Sequence, residues 1–580
     1  MSKKVFEHPA AQAGEPTGPS YWRSLDERNK SPEFRTRAER EFLDGASAIS
    51  AVERREFLML MGASFGLAGL GLAGCREPRN HTLPYAKQPE NTIPGVATYY
   101  ASSFPGEFAN QPILVETHQH RPTKIEGNPS HRANGGASSK FAQASVLDMY
   151  DPDRAQASLA ADGSVLSVAA ARSFLRGLAA DAKADAGAGL AFLARPSTSP
   201  TRARLVAALK AAYPQARWVE YTPVAQNRAD AVLGARALPD YAKARRVLSL
   251  DRDFLGAHDA TVEDTRAYSS ARRADTAAEA EKMTRLYVVE SVFSLTGAAA
   301  DHRLRASSSH ISGLAILFAA EVLAQKGSAD AAALKGKVSG INVDAKWVTE
   351  CVADLVKAAK GEALIVAGDH LSADAHRAVF LANQALAAAV KYVAAPAPAA
   401  LTISALVAQP AKTLVILGGN PVYDAPADVN FSAAIQAAKK VVRLGYHGPS
   451  FDETSAAVKA AAGTFLASSH YLESWSDGRT LDGAYVPVQP MIDPLFATVT
   501  ELDVLAPFAG SDKDAHALVR ETFNSLSKNA SDEAFAAWLA EGVLAGTAFA
   551  AAKPAVGVAQ IKAFAAPALS FDALEVRLLP

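Results

Sequence analysis

The chain of 580 residues contains only two cysteines, Cys75 and Cys351, and no C-x-x-C pair. It cannot supply four thiolates to one metal site, and neither cysteine has a second thiol near it in sequence. A disulfide between the two is conceivable in an exported protein. Separate roles fit better, with Cys75 as a processed terminus and Cys351 as a small apolar residue buried in a helix. Net charge is equally scarce, at 59 basic against 60 acidic residues. No long-range field would draw polyanions, and no block of like charge forms a tail that could. Outside the glycine-rich apolar run at 59–75, Gly-x-Ser-x-Gly, a Walker loop, G-x-G-x-x-G and a paired-carboxylate pattern are also missing, which removes the usual sequence signs of hydrolase, nucleotide-binding and glycosidase chemistry from the rest of the chain.

What is present suits a large folded protein. The chain is 49% hydrophobic, ample for a core, and its length corresponds to about three domains beyond a signal. Alanine is abundant from Ala155 onward, where Leu, Val and Phe recur at helical spacing, so these stretches read as closely packed helices. Short apolar runs alternate with them at 190–194, 217–221, 246–251, 286–291, 363–368 and 413–418. A helix over 200–213 is expected between the first two. Such uninterrupted runs, ending in Gly, Asp or Glu, imply strands buried on both faces with loops gathered at their carboxyl ends. The expected fold class is α/β with doubly wound parallel sheets, two of them related. Residues 259–282 and 394–400 are polar or Ala-Pro-rich and read as connections.

The first part of the chain is organised differently. A polar leader spans 1–53, with Ser31-Pro32-Glu33 as a helix start and Phe34, Ala38 and Phe42 on one face. Arg54 and Arg55 then precede an uncharged apolar run broken by Gly62, Gly66, Gly69, Gly71 and Gly74, ending in Leu72-Ala73-Gly74-Cys75. Each glycine costs a helix roughly 1 kcal/mol relative to alanine, so the run reads as a removable twin-arginine signal rather than a permanent span. The Cys75 tetrapeptide has the form of a lipobox, in which the thiol is acylated. The plainer alternative is a buried glycine-rich helix with an incidental cysteine.

Residues 113–154 carry a resemblance. An alternating strand, Arg121-Pro122, Lys124-Ile125-Glu126-Gly127-Asn128-Pro129 and Tyr150-Asp151-Pro152-Asp153-Arg154 together resemble the N-terminal domain of the molybdopterin oxidoreductases. In that family these motifs surround a cysteine-bound [4Fe-4S] cluster. Here Ser139 stands where the family places its fourth cysteine and residues 99–111 hold none of the others, and a neutral hydroxyl is a poor ligand for such irons. The leader is similar to that of one branch of the family, the B subunits of alternative complex III, a membrane quinol oxidoreductase. The resemblance covers most of 85–505. It implies a small β-rich N-terminal domain at 76–154, α/β domains at 155–300 and 301–505, and a helical segment at 506–580.

The same resemblance marks candidate positions. Asp251, Gly368, Asp369, Gly418, Gly419 and Asn420 correspond to loops that hold the guanine and pyrophosphate of molybdopterin guanine dinucleotide in relatives. Tight turns closing a sheet whose ligand is gone are the reading preferred here. In the region matching the molybdenum ligand, Glu220 is the one possible donor, and its setting suits a partly buried paired carboxylate. His470 and Glu473, in a loop resembling one near the family's cofactor cavity, could form an acid–base pair. A structural loop packing Trp475 is the expectation preferred here. His118 and His120 share a spacing that can hold zinc, but Arg121-Pro122 follows and no third ligand is visible, so a solvated hairpin end is expected.

These features imply a non-catalytic scaffold subunit, exported by the twin-arginine route and held at the periplasmic side of the inner membrane through Cys75. No cofactor is expected on this chain. Fe-S clusters and haems would sit in partner subunits: an iron-sulfur ferredoxin-like protein, multihaem cytochromes and quinol-binding membrane subunits. Two rival expectations stand beside it. One is an oxidoreductase that retains molybdopterin without a cluster, and the other is a lipid-anchored solute-binding protein.

Overall fold

The computed structural model describes residues 95–578, apart from 132–133, 225–227, 257–260, 397–400 and 571–573, together with 28, 29, 31, 32 and 93. Arg54, Arg55 and Cys75, with the signal and lipobox read there, lie outside the described residues.

The protein is a mixed α/β structure built on two parallel sheets. One sheet has seven strands, in the order Val165–Leu166, Ser158–Leu159, Thr464–Ala467, Lys440–Gly445, Thr413–Leu417, Leu190–Ala194, Arg217–Glu220. The last five are parallel. Numbered along the chain, those five run 2-1-3-4-5 across the sheet, the doubly wound order whose switch point lies between strands 1 and 3. The other sheet has four parallel strands in the order His302–Arg305, Arg285–Glu290, Arg246–Leu250, Ala363–Ala367. Its chain order is 3-2-1-4, with the switch between strands 1 and 4.

The uninterrupted apolar strands follow from burial on both faces. In the seven-stranded sheet Phe192, Val415, Val442 and Leu466 pack one way and Ala191, Leu193, Leu414, Ile416 and Val441 the other. Leu248, Leu250, Val289 and Ile365 divide from Val247, Leu286, Val288 and Leu364 in the same manner. Helix Ser308–Gln325 is the one helix among the described residues long and apolar enough to cross a membrane, and most of it is buried against the four-stranded sheet. Cys351 is buried in helix Ala345–Lys357 in the same core, and burial pushes its thiol pKa well up.

The two sheets are not consecutive in the chain. After Glu220 the chain leaves the first sheet, builds the second, and returns at Thr413. Residue 300 therefore falls within the four-stranded sheet, between Arg285–Glu290 and His302–Arg305. A separate antiparallel sheet, Thr98–Phe104, Gln111–His118 and Arg121–Gly127, packs Ile113, Val115 and Ile125 on Ala142, Val146 and Met149 of helix Lys140–Met149.

Two regions differ from the sequence reading. The polar stretch 259–282 holds helices Val262–Arg272 and Ala277–Glu281. The first is capped by Thr261 and buries Tyr268, whose ring stands edge-on to Phe254 at 5.2 Å. One buried aromatic on an otherwise polar helix leaves little periodic signal. The segment 506–580 is helical only in part. Helices Glu501–Phe508, Ala515–Leu526 and Asp532–Glu541 join the first core, but Gly542 closes the last of these in a left-handed conformation. Beyond it the alanines are divided by Gly546, Pro554 and Gly557 into runs too short to nucleate a helix.

Candidate functional site

Carboxyl ends of strands at a switch point are where open α/β sheets form a crevice. The sequence candidates fall at both switch points. Leu417 pairs with Ala194, so Gly418 emerges beside Arg195, and Leu250 pairs with Ala367, so Asp251 emerges beside Gly368.

At the first crevice, Gly418 and Gly419 take φ values of +71° and +68°, a region that favours glycine. Their carbonyls are consumed by Arg443, an arginine buried within strand Lys440–Gly445. Its Nη1 donates to Gly418 O at 2.7 Å, and its Nη2 donates to Gly419 O and pairs with Asp452 at 3.3 Å. The Gly418 amide is spent on Leu444 O at 3.1 Å. Arg195 closes the open side. It pairs with Asp424 at 2.9 Å and Glu107 at 3.4 Å, and a Cβ on Gly419 would come within 2.9 Å of its Nε. Burial raises the Glu107 pKa, with the Arg195 charge opposing. Asn420 is engaged too: Oδ1 accepts from Thr454 N at 3.1 Å, and Nδ2 donates to Glu453 at 2.6 Å.

At the second crevice, Asp251 is buried and has φ +51°. His370 Nε2 donates to its Oδ2 at 2.9 Å, the Ser291 amide to Oδ1 at 3.2 Å, and Ser291 Oγ to Oδ2 at 3.0 Å. Arg577 arrives from the far end of the chain, with Nη1 on Oδ1 at 3.1 Å and Nη2 on the Asp251 carbonyl at 3.2 Å. Burial pushes the Asp251 carboxyl up, but the His370 hydrogen bond and the Arg577 charge outweigh it and leave the pKa below the ordinary value. Gly368 allows the close approach, since a Cβ there would meet Asp251 O at 2.4 Å. Asp369 lies near His376, a buried imidazole whose pKa burial lowers against the Asp369 charge. The Gly418 and Gly419 carbonyls, Asn420 and the Asp251 carboxylate are thus committed to protein partners.

His470 and Glu473 lie elsewhere, flanking Tyr471 and Leu472, which pack into the core of the small sheet. His470 opens a 3-10 turn, Tyr471–Glu473, and accepts from the Leu472 amide through Nδ1 at 3.3 Å. Burial, reinforced by the Arg154 charge, pushes its pKa down to about 4, so the ring is neutral. The Glu473 carboxylate is fully buried in a two-pronged pair with Arg154, at 3.1 and 2.7 Å, and also accepts from the His470 and Leu495 amides. Although burial alone would raise it, these donors hold the Glu473 pKa below the ordinary value. A carboxylate so saturated is a clamp rather than a proton shuttle. Trp475 packs between His516 and Phe535, as the structural reading of this loop expects.

The remaining candidates have local duties. Ser139 caps helix Lys140–Met149 through the Ala142 amide and donates to Gln111 Oε1 at 2.9 Å. Glu220 accepts from Trp218 Nε1 at 3.1 Å and stands 3.7 Å from Arg202. His118 ends its strand paired to Glu116 at 3.0 Å, and Gln119 and His120 form the left-handed turn of the hairpin. Among the described residues no three His, Cys, Asp or Glu side chains converge as a metal site requires. A [4Fe-4S] cluster does not fit this donor set, because the whole sequence contains two thiols. Arg195, Arg443 and Arg577 were not foreseen. The one sign of Arg443 in the sequence is a charge inside the apolar run Val441-Val442-Arg443-Leu444.

The mixed α/β architecture with its parallel sheets is shared with a solved structure. Among solved structures it is similar to acetylene hydratase from Pelobacter acetylenicus, with a TM-score of 0.51 and 13% identity over 70% of this chain and 69% of that one. At that identity the likeness is one of fold. No protein-family model and no curated protein matches the chain.

Proposed function

We propose that the chain is a non-catalytic scaffold, the molybdopterin-oxidoreductase-like part of a B subunit in a quinol-oxidising membrane complex of the alternative complex III type. The observation that carries this reading is the closure of both switch points from within, by Arg195 and Arg443 over Gly418-Gly419 and by Arg577 on Asp251. A crevice whose floor is hydrogen-bonded to its own protein offers a cofactor little without an exchange of partners. The two-cysteine composition supports the same view, since electron-carrying clusters would have to belong to other chains. In this reading an iron-sulfur protein, multihaem cytochromes and quinol-binding membrane subunits dock on the scaffold. Export follows Arg54-Arg55, and an acylated Cys75 holds the assembly at the periplasmic membrane face.

The test is purification from native membranes in mild detergent, with metal analysis and mass spectrometry. The scaffold reading expects iron-sulfur and multihaem proteins in the same fraction, an acyl mass on Cys75, and no stoichiometric molybdenum or tungsten on the separated chain. A second reading, an oxidoreductase that holds molybdopterin, is supported by the fold and by a cavity of about 1630 Å³ beside the second switch point. Stoichiometric molybdenum or tungsten on the separated chain would favour it and sink the first.

A further inference from the structure

The second crevice is closed by a segment whose side chains alternate in an inverted sense. Along 574–578, Leu574, Val576 and Leu578 are 94%, 79% and 70% exposed, while Glu575 and Arg577 make the polar contacts. The Glu575 carboxylate lies at the N-terminus of the eighteen-residue helix Ser308–Gln325, accepting from Ser309 N at 3.4 Å and from Ser309 Oγ. Ser307 makes no side-chain cap there, so the free amides and the helix dipole favour an anion from elsewhere. Those contacts, the Ser309 hydroxyl first, hold the Glu575 pKa below its ordinary value. Two residues on, the Arg577 guanidinium meets Asp251 in a two-point contact. Upstream, Phe564–Ala565 pairs in parallel with Val338–Ser339, and the His310 ring bonds the Pro567 carbonyl at 2.8 Å. A cavity of about 1630 Å³ runs beside these contacts, lined in part by Ser291, Phe293, Asn342 and Asp344.

Resting on the scaffold reading, we propose that this crevice is a peptide-binding groove for an extended segment with a carboxylate and a guanidinium two residues apart. Residues 574–578 are its intramolecular occupant, and a partner polypeptide carrying the same Glu-x-Arg pattern displaces them. Charge complementarity sets the choice of partner. Asp251 accepts a planar two-pronged donor, and the helix start accepts a carboxylate at the spacing an extended chain provides. The outward apolar side chains gain nothing in the self-occupied state, so a partner that buries its own apolar residues has the advantage. A tethered occupant competes at an effective concentration on the order of millimolar, so the partner must bind well below that.

The test uses a fluorescent peptide of residues 569–580 and two full-length proteins, the wild type and the double variant Glu575→Ala, Arg577→Ala. Anisotropy titration should show at least tenfold tighter binding to the double variant, because its own tail no longer competes. A peptide carrying both substitutions should lose this binding. Arg577→Lys, which keeps the charge but loses the fork, should fall between. Arg577 is 11% exposed against a buried Asp251, so both proteins are melted first and the titrations are compared at a temperature where each is folded. Equal affinity for the two proteins, or none for the double variant, would overturn the proposal. Binding of guanosine diphosphate to the double variant in place of the peptide would also overturn it, in favour of a nucleotide crevice. The assay uses the isolated chain, so its failure leaves the scaffold reading to metal analysis and co-purification.

Discussion

At the first switch point Arg443 reaches the carbonyls of Gly418 and Gly419 from the neighbouring strand of the same sheet, whereas at the second Arg577 reaches Asp251 from 326 residues away. Arg443 is 2% exposed and belongs to the core, and its removal would open the sheet itself. Arg577 sits on an extended tail whose neighbours Leu574, Val576 and Leu578 face solvent. Two crevices built on one plan are thus shut in different ways. The first closure is part of the fold, and the second is a contact that can be exchanged. Local stability follows the number of buried contacts a segment makes, so the second should open at far lower free energy than the first.

The contrast can be broken by substitution. Arg443→Met should cost about 3–5 kcal/mol in urea unfolding, because it leaves the Gly418 and Gly419 carbonyls without their donor and the largely enclosed Asp452 without its guanidinium. A loss below about 1 kcal/mol, the range of an exposed pair, would show that the first closure is not part of the core. Asp251→Asn should cost about 1.5–3 kcal/mol at neutral pH, the worth of hydrogen bonds to a charged group. Its pH dependence has a definite sign. The folded pKa of Asp251 is depressed, so its contribution is present above the ordinary carboxylate range and is lost as pH falls through the folded value. Wild type and variant should therefore converge in stability in acid, and a constant gap would place the effect elsewhere.

Gly419→Ala should cost about 1–2 kcal/mol from its left-handed backbone. Loss of the Arg195–Asp424 contact would show as an added shift, since the new Cβ meets Arg195 Nε. Arg577→Ala leaves Asp251 its His370 and Ser291 donors, so the cost to global stability should stay at about 1–3 kcal/mol, below that of Arg443→Met. Amide exchange near Asp251 and Ser309 should nevertheless speed up selectively. Global destabilisation equal to that of Arg443→Met would erase the distinction between the two crevices.

Parts of this were legible in advance. The strands at 190–194, 246–251 and 413–418 were readable because parallel strands buried on both faces leave unbroken apolar runs, and their closing Gly and Asp marked the loops at the carboxyl edge. The strand Lys440–Gly445 is hidden by the arginine inside its apolar run, and nothing local separates Thr464–Ala467 from other short apolar stretches. Helix Val262–Arg272 was hidden by its polar surface. The motif arginine Arg154 was visible, but nothing local announced that it would meet Glu473, 319 residues on, in a buried pair.

By itself the sequence determined the strand and helix chemistry, the want of thiolates, and the presence of glycines and carboxylates at strand ends. Each of these depends on residues near one another in the chain or on composition alone. Only the tertiary structure decided that Thr413–Leu417 lies beside Leu190–Ala194, and so which loops share a crevice. It also decided that Arg443 and Arg577 meet the polar groups there. A buried carbonyl or carboxylate must find a partner but does not specify from which part of the chain, and the packing of whole sheets and the path of the tail make that choice.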